Sequence, residues 1–322
     1  MIPFFLSLLI TLAAAPVVRW LLLHRGIIDV PNHRSSHTSP TPRGGGLACL
    51  LGVMVALVSA QVLGVRVPWL AAGAAIALGA IGFADDRAGL SPVVRLSGQV
   101  AGGLLMGVAA GGGWLLVAGA VIAPVVVNIV NFMDGINGIT GLSVAVWGAT
   151  AWLVGLSVGA EPVWVLGAAT AGAALGFLPW NAPTARLFLG DVGSYLFGGL
   201  IAAGIVVGLA TKASPLVLAA PLGLYLADTG TVLVRRAARR EPLMEAHREH
   251  AYQRLTSVCR LPHIMVSVLV AGLASLVTAA WAFLALEAAL VVTAVVCGAF
   301  VLAPSIGRAR ATEKTPALRT TP

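Results

Sequence analysis

Four polar stretches in an otherwise apolar chain hold most of the side chains that could do chemistry. In GFADDRAGLSPVVRL, Asp85 and Asp86 are adjacent, with Arg87 and Arg95 on either side. Neighbouring carboxylates repel unless a cation or a proton is shared. The pair is either a solvated loop feature or a site for a metal or for phosphate, whose oxygens the two Arg could meet. In NIVNFMDGINGITG, Asn128, Asn131, Asp134 and Asn137 recur every three residues, which puts them near one face of a helix end. They either cap that helix or bind a ligand, because such groups in an apolar run are costly without partners. In PWNAPTARLFLGDVGSYLFGG, Asp191 lies between Gly190 and Gly193 just before an apolar run. It could cap the helix that follows, or hold Mg²⁺ beside a diphosphate at a helix N-terminus suited to anions.

The fourth stretch, RRAARREPLMEAHREHAYQRL, is the longest and most basic loop. Part of it reads as a topology signal. His247, Arg248 and His250 cluster with Tyr252, Gln253 and Arg254, a set of donors that suits phosphate and sugar hydroxyls. No third soft ligand lies near the two His, so zinc is not expected. A further segment, RSSHTSPTPRGGG, adds His37, Arg43 and a glycine triplet. It lacks the residue order of a P-loop, so ATP is not indicated. Separated Asp side chains with Arg, His and amides make the inventory for metal-assisted phosphoryl transfer.

The elements that must position these groups follow from composition. Of 322 residues, 58% are hydrophobic and 10% charged, against about 25% charged in soluble domains. That leaves a polytopic membrane protein. Apolar runs fall at 2–22, 44–64, 69–83, 97–110, 114–131, 139–158, 162–179, 192–209, 215–234, 263–284 and 288–303. Backbone groups in hydrocarbon must bond internally, and a span takes about 20 residues. The expected fold is therefore all-α with about 11 transmembrane helices. Many runs are rich in Gly and Ala, which suits close helix packing in lipid.

With that count, about 18 of the 20 Lys and Arg lie on one side, leaving Arg66 and Lys212 on the other. The positive-inside rule makes the rich side cytoplasmic, with the N-terminus outside and the C-terminus in the cytoplasm of a cell (inner or plasma) membrane protein. The net charge of +8 then needs no nucleic-acid partner. No basic residue precedes the first apolar run, which reads as a retained helix rather than a cleaved signal. The three Cys show no metal or disulfide spacing. Residues 1–304 are expected to form one integral-membrane catalytic domain, and 305–322 a basic, disordered cytoplasmic tail. Nearly all ionisable groups fall at helix ends on the cytoplasmic side. A transporter or flippase for an anionic lipid or solute would spread them through the midplane, and Asp228 is the one candidate for that rival reading, although about two turns from Arg235 it fits a cytoplasmic helix end equally well. A scaffold would leave the acids unexplained.

The motifs DDRAGLSP (85–92), NFMDGINGITG (131–141), FLGDVGS (188–194) and AHREHAYQRL (246–255) together resemble the polyprenyl-phosphate N-acetylhexosamine-1-phosphate transferases. The resemblance covers nearly the whole chain and keeps the family's motif order. RSSHTSPTPRGGG and HREHAYQRL resemble most the branch that initiates O-antigen or related surface glycans. The resemblance implies transfer of a sugar 1-phosphate from a UDP-N-acetylhexosamine to undecaprenyl phosphate, with release of UMP, at the cytoplasmic face among membrane lipid. It implies Mg²⁺, or Mn²⁺ in its place, on Asp191. Asp85, with Asp86 beside it, would prepare the lipid phosphate, and Asp134 and Asn131 would be polar site residues. Asn181 and Phe188 would meet uracil. His247, Arg248 and His250 would handle the diphosphate or the sugar, with Arg43 also binding substrate. Asn137 stands where many members carry Asp, which alters the uridine contacts. A homodimer is compatible with all of this.

Overall fold

The computed structural model describes residues 1–31, 39–242 and 248–313. In chain order the elements are α1 (Ile2–His24), β1 (Ile28–Asp29), β2 (Thr41–Pro42), α2 (Gly46–Val62), α3 (Trp69–Ala88), α4 (Pro92–Ala109), α5 (Trp114–Met133), α6 (Ile139–Ser157), α7 (Glu161–Asn181) and α8 (Gly190–Leu209). Then come α9 (Pro215–Ala219), a 3₁₀ turn at Ala220–Leu222, α10 (Gly223–Ala238), α11 (Ala251–Ser257), α12 (His263–Phe283) and α13 (Leu286–Glu313). Ten helical segments among the described residues are long and apolar enough to cross a membrane, α9 to α10 counting as one. The chain is an all-α polytopic membrane protein.

Each apolar run of the sequence coincides with a helix, but two depart from a plain span. The run at 44–64 forms α2, a helix of only 17 residues, short for a span but within the range a bilayer accepts. Its first residues bond the start of α8, through Gly46 N–H to Leu189 O at 2.9 Å. Arg66, just past its end, pairs with Glu161 at the head of α7. Thus α2 joins the two ends of the bundle. The run at 215–234 breaks into α9, the 3₁₀ turn and α10. Pro221 sits at the break, where it has no N–H to continue an α-helical ladder. At the other end of the chain, α13 continues past its apolar run to Glu313, so the start of the expected tail is helical, and 314–322 lie outside the described residues.

Helix α8 is the axis of the bundle. It is apolar on every side and nearly all buried, the pattern of a helix enclosed by others. Helices α2, α3, α5 and α7 pack around it. Their approach depends on missing side chains. A Cβ on Gly46 would sit 2.2 Å from Gly193 Cα, and one on Gly82 would sit 2.2 Å from Asp191 O. Both crossings lie at the end where the polar motifs gather. Helix α13, by contrast, buries little of its surface, and Leu290, Val291 and Val295 are exposed, as suits an outer helix in lipid.

Candidate active site

Three helix ends and one short bridge bring the site together. Arg43 follows β2 and pairs with Phe188 in an isolated parallel bridge, while Gly44 and Gly45 N–H groups donate to Phe188 O at 3.1 and 2.8 Å. The glycine triplet and FLGD are thus laced backbone to backbone. Gly190 takes φ +77° there, a conformation glycine adopts without a Cβ penalty. A Cβ on it would also meet Asp86 Oδ2 at 2.7 Å.

Arg43 then spans two carboxylates. Its Nη2 donates to Asp191 Oδ1 at 2.6 Å, and its Nε lies 2.8 Å from Asp86 Oδ1. Asn131, from the last turn of α5, donates to the same Asp191 oxygen and to Ser194 Oγ, both at 3.0 Å. Asp86 Oδ2 accepts from Val192 N–H at 3.1 Å. This decides the capping question for Asp191. Its side chain does not cap α8, whose N-cap is Leu189 without a side-chain bond. The first turn of α8 is instead satisfied by Asp86, reaching across from α3.

The adjacent acids have separate tasks. Asp85 turns toward α4: its Oδ1 accepts from Leu90 N–H at 2.8 Å, and its Oδ2 takes Arg95 Nη1 at 3.0 Å. Tyr195 OH lies 3.5 Å from the same oxygen, so Asp85 still faces α8 one turn beyond Asp191. Asp134, just past α5, accepts from Thr140 Oγ1 at 2.6 Å. Burial pushes its carboxyl up to about 6, opposed by the Thr140 hydroxyl and by the field of Arg43.

The remaining predicted residues divide into groups. Asn181 uses both ends of its amide on backbone, accepting from Gly138 N–H at 2.7 Å and donating to Leu187 O at 3.2 Å. It is a strut between two motifs. The Asn137 side-chain amide donates to Pro183 O at 3.1 Å, and the Asn137 backbone carbonyl accepts from Ser267 Oγ. Phe188 is half-buried beside Arg43. His250 is buried and Arg248 exposed, while His247 and His37 lie outside the described residues. Asn128 leaves the group despite its spacing, because its amide pairs with Gln99 on α4 at 2.7 Å. Ser194, Tyr195 and Thr140 join without any sequence signal, since common hydroxyl residues reveal a partner only once folded.

The charges do not balance locally. Four carboxylates (Asp85, Asp86, Asp134, Asp191) meet two guanidinium groups (Arg43, Arg95), a formal excess of about two negative charges when all are ionised. Asp86 Oδ1 is buried and has an ion pair but no hydrogen bond of good geometry. Among the described residues no three His, Cys, Asp or Glu are grouped to hold a metal. One or two carboxylate oxygens is nevertheless the donor set that Mg²⁺ accepts when substrate phosphates complete its shell. The residues therefore fit such an ion.

A helical membrane bundle with carboxylates and guanidinium groups gathered where several helix ends meet has the makings of an enzyme site. The profile of glycosyl transferase family 4 matches residues 68–209, which include three of the four motifs. The chain is 29% identical over 276 residues to a probable undecaprenyl-phosphate N-acetylglucosaminyl 1-phosphate transferase of Bacillus subtilis, covering 79% of this chain and 76% of that one. It is 32% identical over 308 residues to a decaprenyl-phosphate N-acetylglucosaminephosphotransferase of Mycolicibacterium smegmatis, with 78% and 73% covered. A phospho-N-acetylmuramoyl-pentapeptide-transferase of Mycolicibacterium vanbaalenii is 30% identical over 271 residues, with 65% and 74% covered. The chain belongs to this family, the polyprenyl-phosphate N-acetylglucosaminyl-1-phosphate transferase superfamily.

Proposed function

We propose that the protein transfers an N-acetylhexosamine 1-phosphate from a UDP-sugar to a polyprenyl phosphate, undecaprenyl phosphate first, and releases UMP. The observation that carries this reading is the convergence of Arg43, Asp86, Asn131 and Asp191 at one end of the bundle. In the reaction an oxygen of the lipid phosphate attacks the sugar-bearing phosphorus, and the bond from that phosphorus to the oxygen of UMP breaks. One in-line displacement accounts for both events. Both substrates are anionic, so the site must offset their repulsion. Asp191, with Asp86 nearby, would hold Mg²⁺, or Mn²⁺ in its place, and that ion supplies charge neutralisation at the diphosphate. Arg43 and Arg95 offer guanidinium groups to the phosphates. Asp85, paired with Arg95 of α4, would orient or deprotonate the lipid phosphate. The finer reading, initiation of O-antigen or a related surface glycan, rests on the 34–46 and 247–255 segments. The named relatives also include cell-wall enzymes, so UDP-N-acetylglucosamine heads the substrates to test.

The orientation proposed is eleven crossings with the site facing the cytoplasm of the cell membrane. One experiment tests activity and sidedness together. Sealed inverted vesicles containing the protein, given Mg²⁺, undecaprenyl or decaprenyl phosphate and a panel of UDP-sugars, are expected to release UMP. Sealed right-side-out vesicles are expected to release none until permeabilised. No UMP from any UDP-sugar after permeabilisation would reject the reaction, and release from right-side-out vesicles would reject the orientation.

A pH test addresses Asp134. If its ionised form serves turnover, kcat/KM rises as pH climbs through about 6. Thr140→Val removes the hydroxyl that favours the ionised form. A hydrogen bond to a charged group is worth about 1.5–3 kcal/mol, so the acidic limb is expected about one pH unit higher or more. A limb that stays in place would assign it to another group. The sign for stability is opposite to that of a salt-bridged acid. The folded pKa is raised, so the favourable contribution is present below the unfolded value and fades as pH rises through about 6.

A further inference from the structure

Asp228 is the acid that sequence alone left open between a mid-span and a cytoplasmic-end position. It is buried on α10, more than a hundred residues from the Asp85 and Asp86 motif in sequence. Its partners lie at the start of α11 and on the residue before it. Its Oδ1 accepts from Ala251 N–H at 2.8 Å and lies 3.5 Å from His250 Nδ1. Two turns further along α10, Arg236 donates to Pro242 O at 2.6 Å and pairs with Glu249 at 3.2 Å. The same helix thus grips both ends of the polar loop.

The loop is held on its other side by the site. Tyr252 OH donates to Phe132 O at 2.9 Å. A Cβ on Gly135 would lie 2.2 Å from that hydroxyl and 3.2 Å from Gln253 Nε2. The His250 ring stacks on Tyr252, at 5.6 Å and 27°, and lies 6.5 Å from the Phe132 ring at 31°. Phe132 stands between Asn131 and Asp134 of the site. His250 is therefore a buried imidazole set against the α5 motif, with a carboxylate oxygen 3.5 Å from Nδ1.

We propose that Asp228 is a positioning residue for His250: its carboxylate anchors the start of α11 through Ala251 N–H and lies beside ring Nδ1, which holds the imidazole against the α5 motif. A carboxylate on one ring nitrogen sets the tautomer and the orientation of the other. Both contacts come from one oxygen, so the carboxylate ties backbone and ring in a single register. The kinetic part rests on the transferase reading.

The test uses the full-length protein in nanodiscs, with Asp228→Asn, Asp228→Glu, His250→Ala and the Asp228→Asn/His250→Ala double variant. With undecaprenyl phosphate, Mg²⁺ and UDP-N-acetylglucosamine, Asp228→Asn is expected to lower kcat about 10- to 100-fold, the usual effect of losing such an outer partner. KM for the lipid phosphate should stay unchanged. Asp228→Glu should recover part of the loss, and the double variant should be no slower than His250→Ala, because the two act as one unit. A second readout needs no turnover: carbethoxylation of His250 by diethyl pyrocarbonate, followed by mass spectrometry, with His24 as internal reference. It is expected to rise several-fold in Asp228→Asn. If that variant elutes as aggregate, the comparison passes to Asp228→Glu, which keeps the charge. Wild-type kcat and wild-type His250 labelling in the folded variant would overturn the proposal, as would losses that multiply in the double variant. If the wild-type protein releases no UMP with any UDP-sugar while His250 labelling still rises in Asp228→Asn, the transferase reading fails and the positioning role stands.

Discussion

Asp191→Asn is expected to leave a folded protein whose turnover is lower by about 10²–10³-fold, the scale of losing one preorganised electrostatic group. Shape survives the change, because the amide oxygen can still accept from Arg43 and Asn131, which now bond Oδ1 at 2.6 and 3.0 Å. Charge does not survive it. The local excess of about two negative charges falls to about one, and the first carboxylate offered to Mg²⁺ is gone. A role limited to the dipole of α8 gives a different result, a stability loss of about 0.3–1 kcal/mol with catalysis kept. Initial rates of UMP release over a Mg²⁺ series, beside a melting curve in detergent, separate the two. Turnover within about tenfold of wild type, or wild-type turnover in excess chelator, would reject the assignment.

Gly82→Val should be as damaging by another route. A Cβ at position 82 would stand 2.2 Å from Asp191 O and 2.5 Å from its carbonyl carbon. The obstacle is backbone, so no side chain can swing aside, and α3 must move off α8. Overpacking costs about 1–3 kcal/mol and sometimes more. The shift falls at the turn that carries Asp85 and Asp86, so the Asp86 to Val192 bond and the Arg43 bridge would be misplaced together. Both thermal stability by fluorescence-detected size exclusion and UMP release are expected to collapse. Gly73→Ala, on the same helix with nothing within 4 Å, should be neutral or slightly stabilising, since Ala is favoured over Gly in a helix by about 1 kcal/mol. Wild-type melting and turnover in Gly82→Val would show that this crossing does not set the site.

Adjacent residues show where legibility stopped. Asp85 and Asp86 look interchangeable in sequence. Successive residues on a helix point about 100° apart, so one meets Arg95 and the other meets Arg43 and α8. Asn128 and Asn131 share a spacing of three, yet one pairs with Gln99 and the other with Asp191. Asn181, expected at uracil by resemblance, uses its amide as a strut between Gly138 and Leu187.

The helical bundle itself was written in the sequence. Apolar runs of near-span length in a chain with 10% charged residues admit few solutions, because hydrocarbon forces each backbone segment to satisfy itself. The kinds of chemistry were written there too, since a carboxylate or guanidinium kept in such a chain needs a partner to offset its desolvation. Which partner it finds was not. The pairs Arg43 with Asp191, Asp86 with Val192 and Asp228 with His250 come from different helices, and no local period encodes them. They follow from how closely the helices approach at Gly46 and Gly82, where contact between backbones, rather than any residue's own preference, sets the distance between the charges.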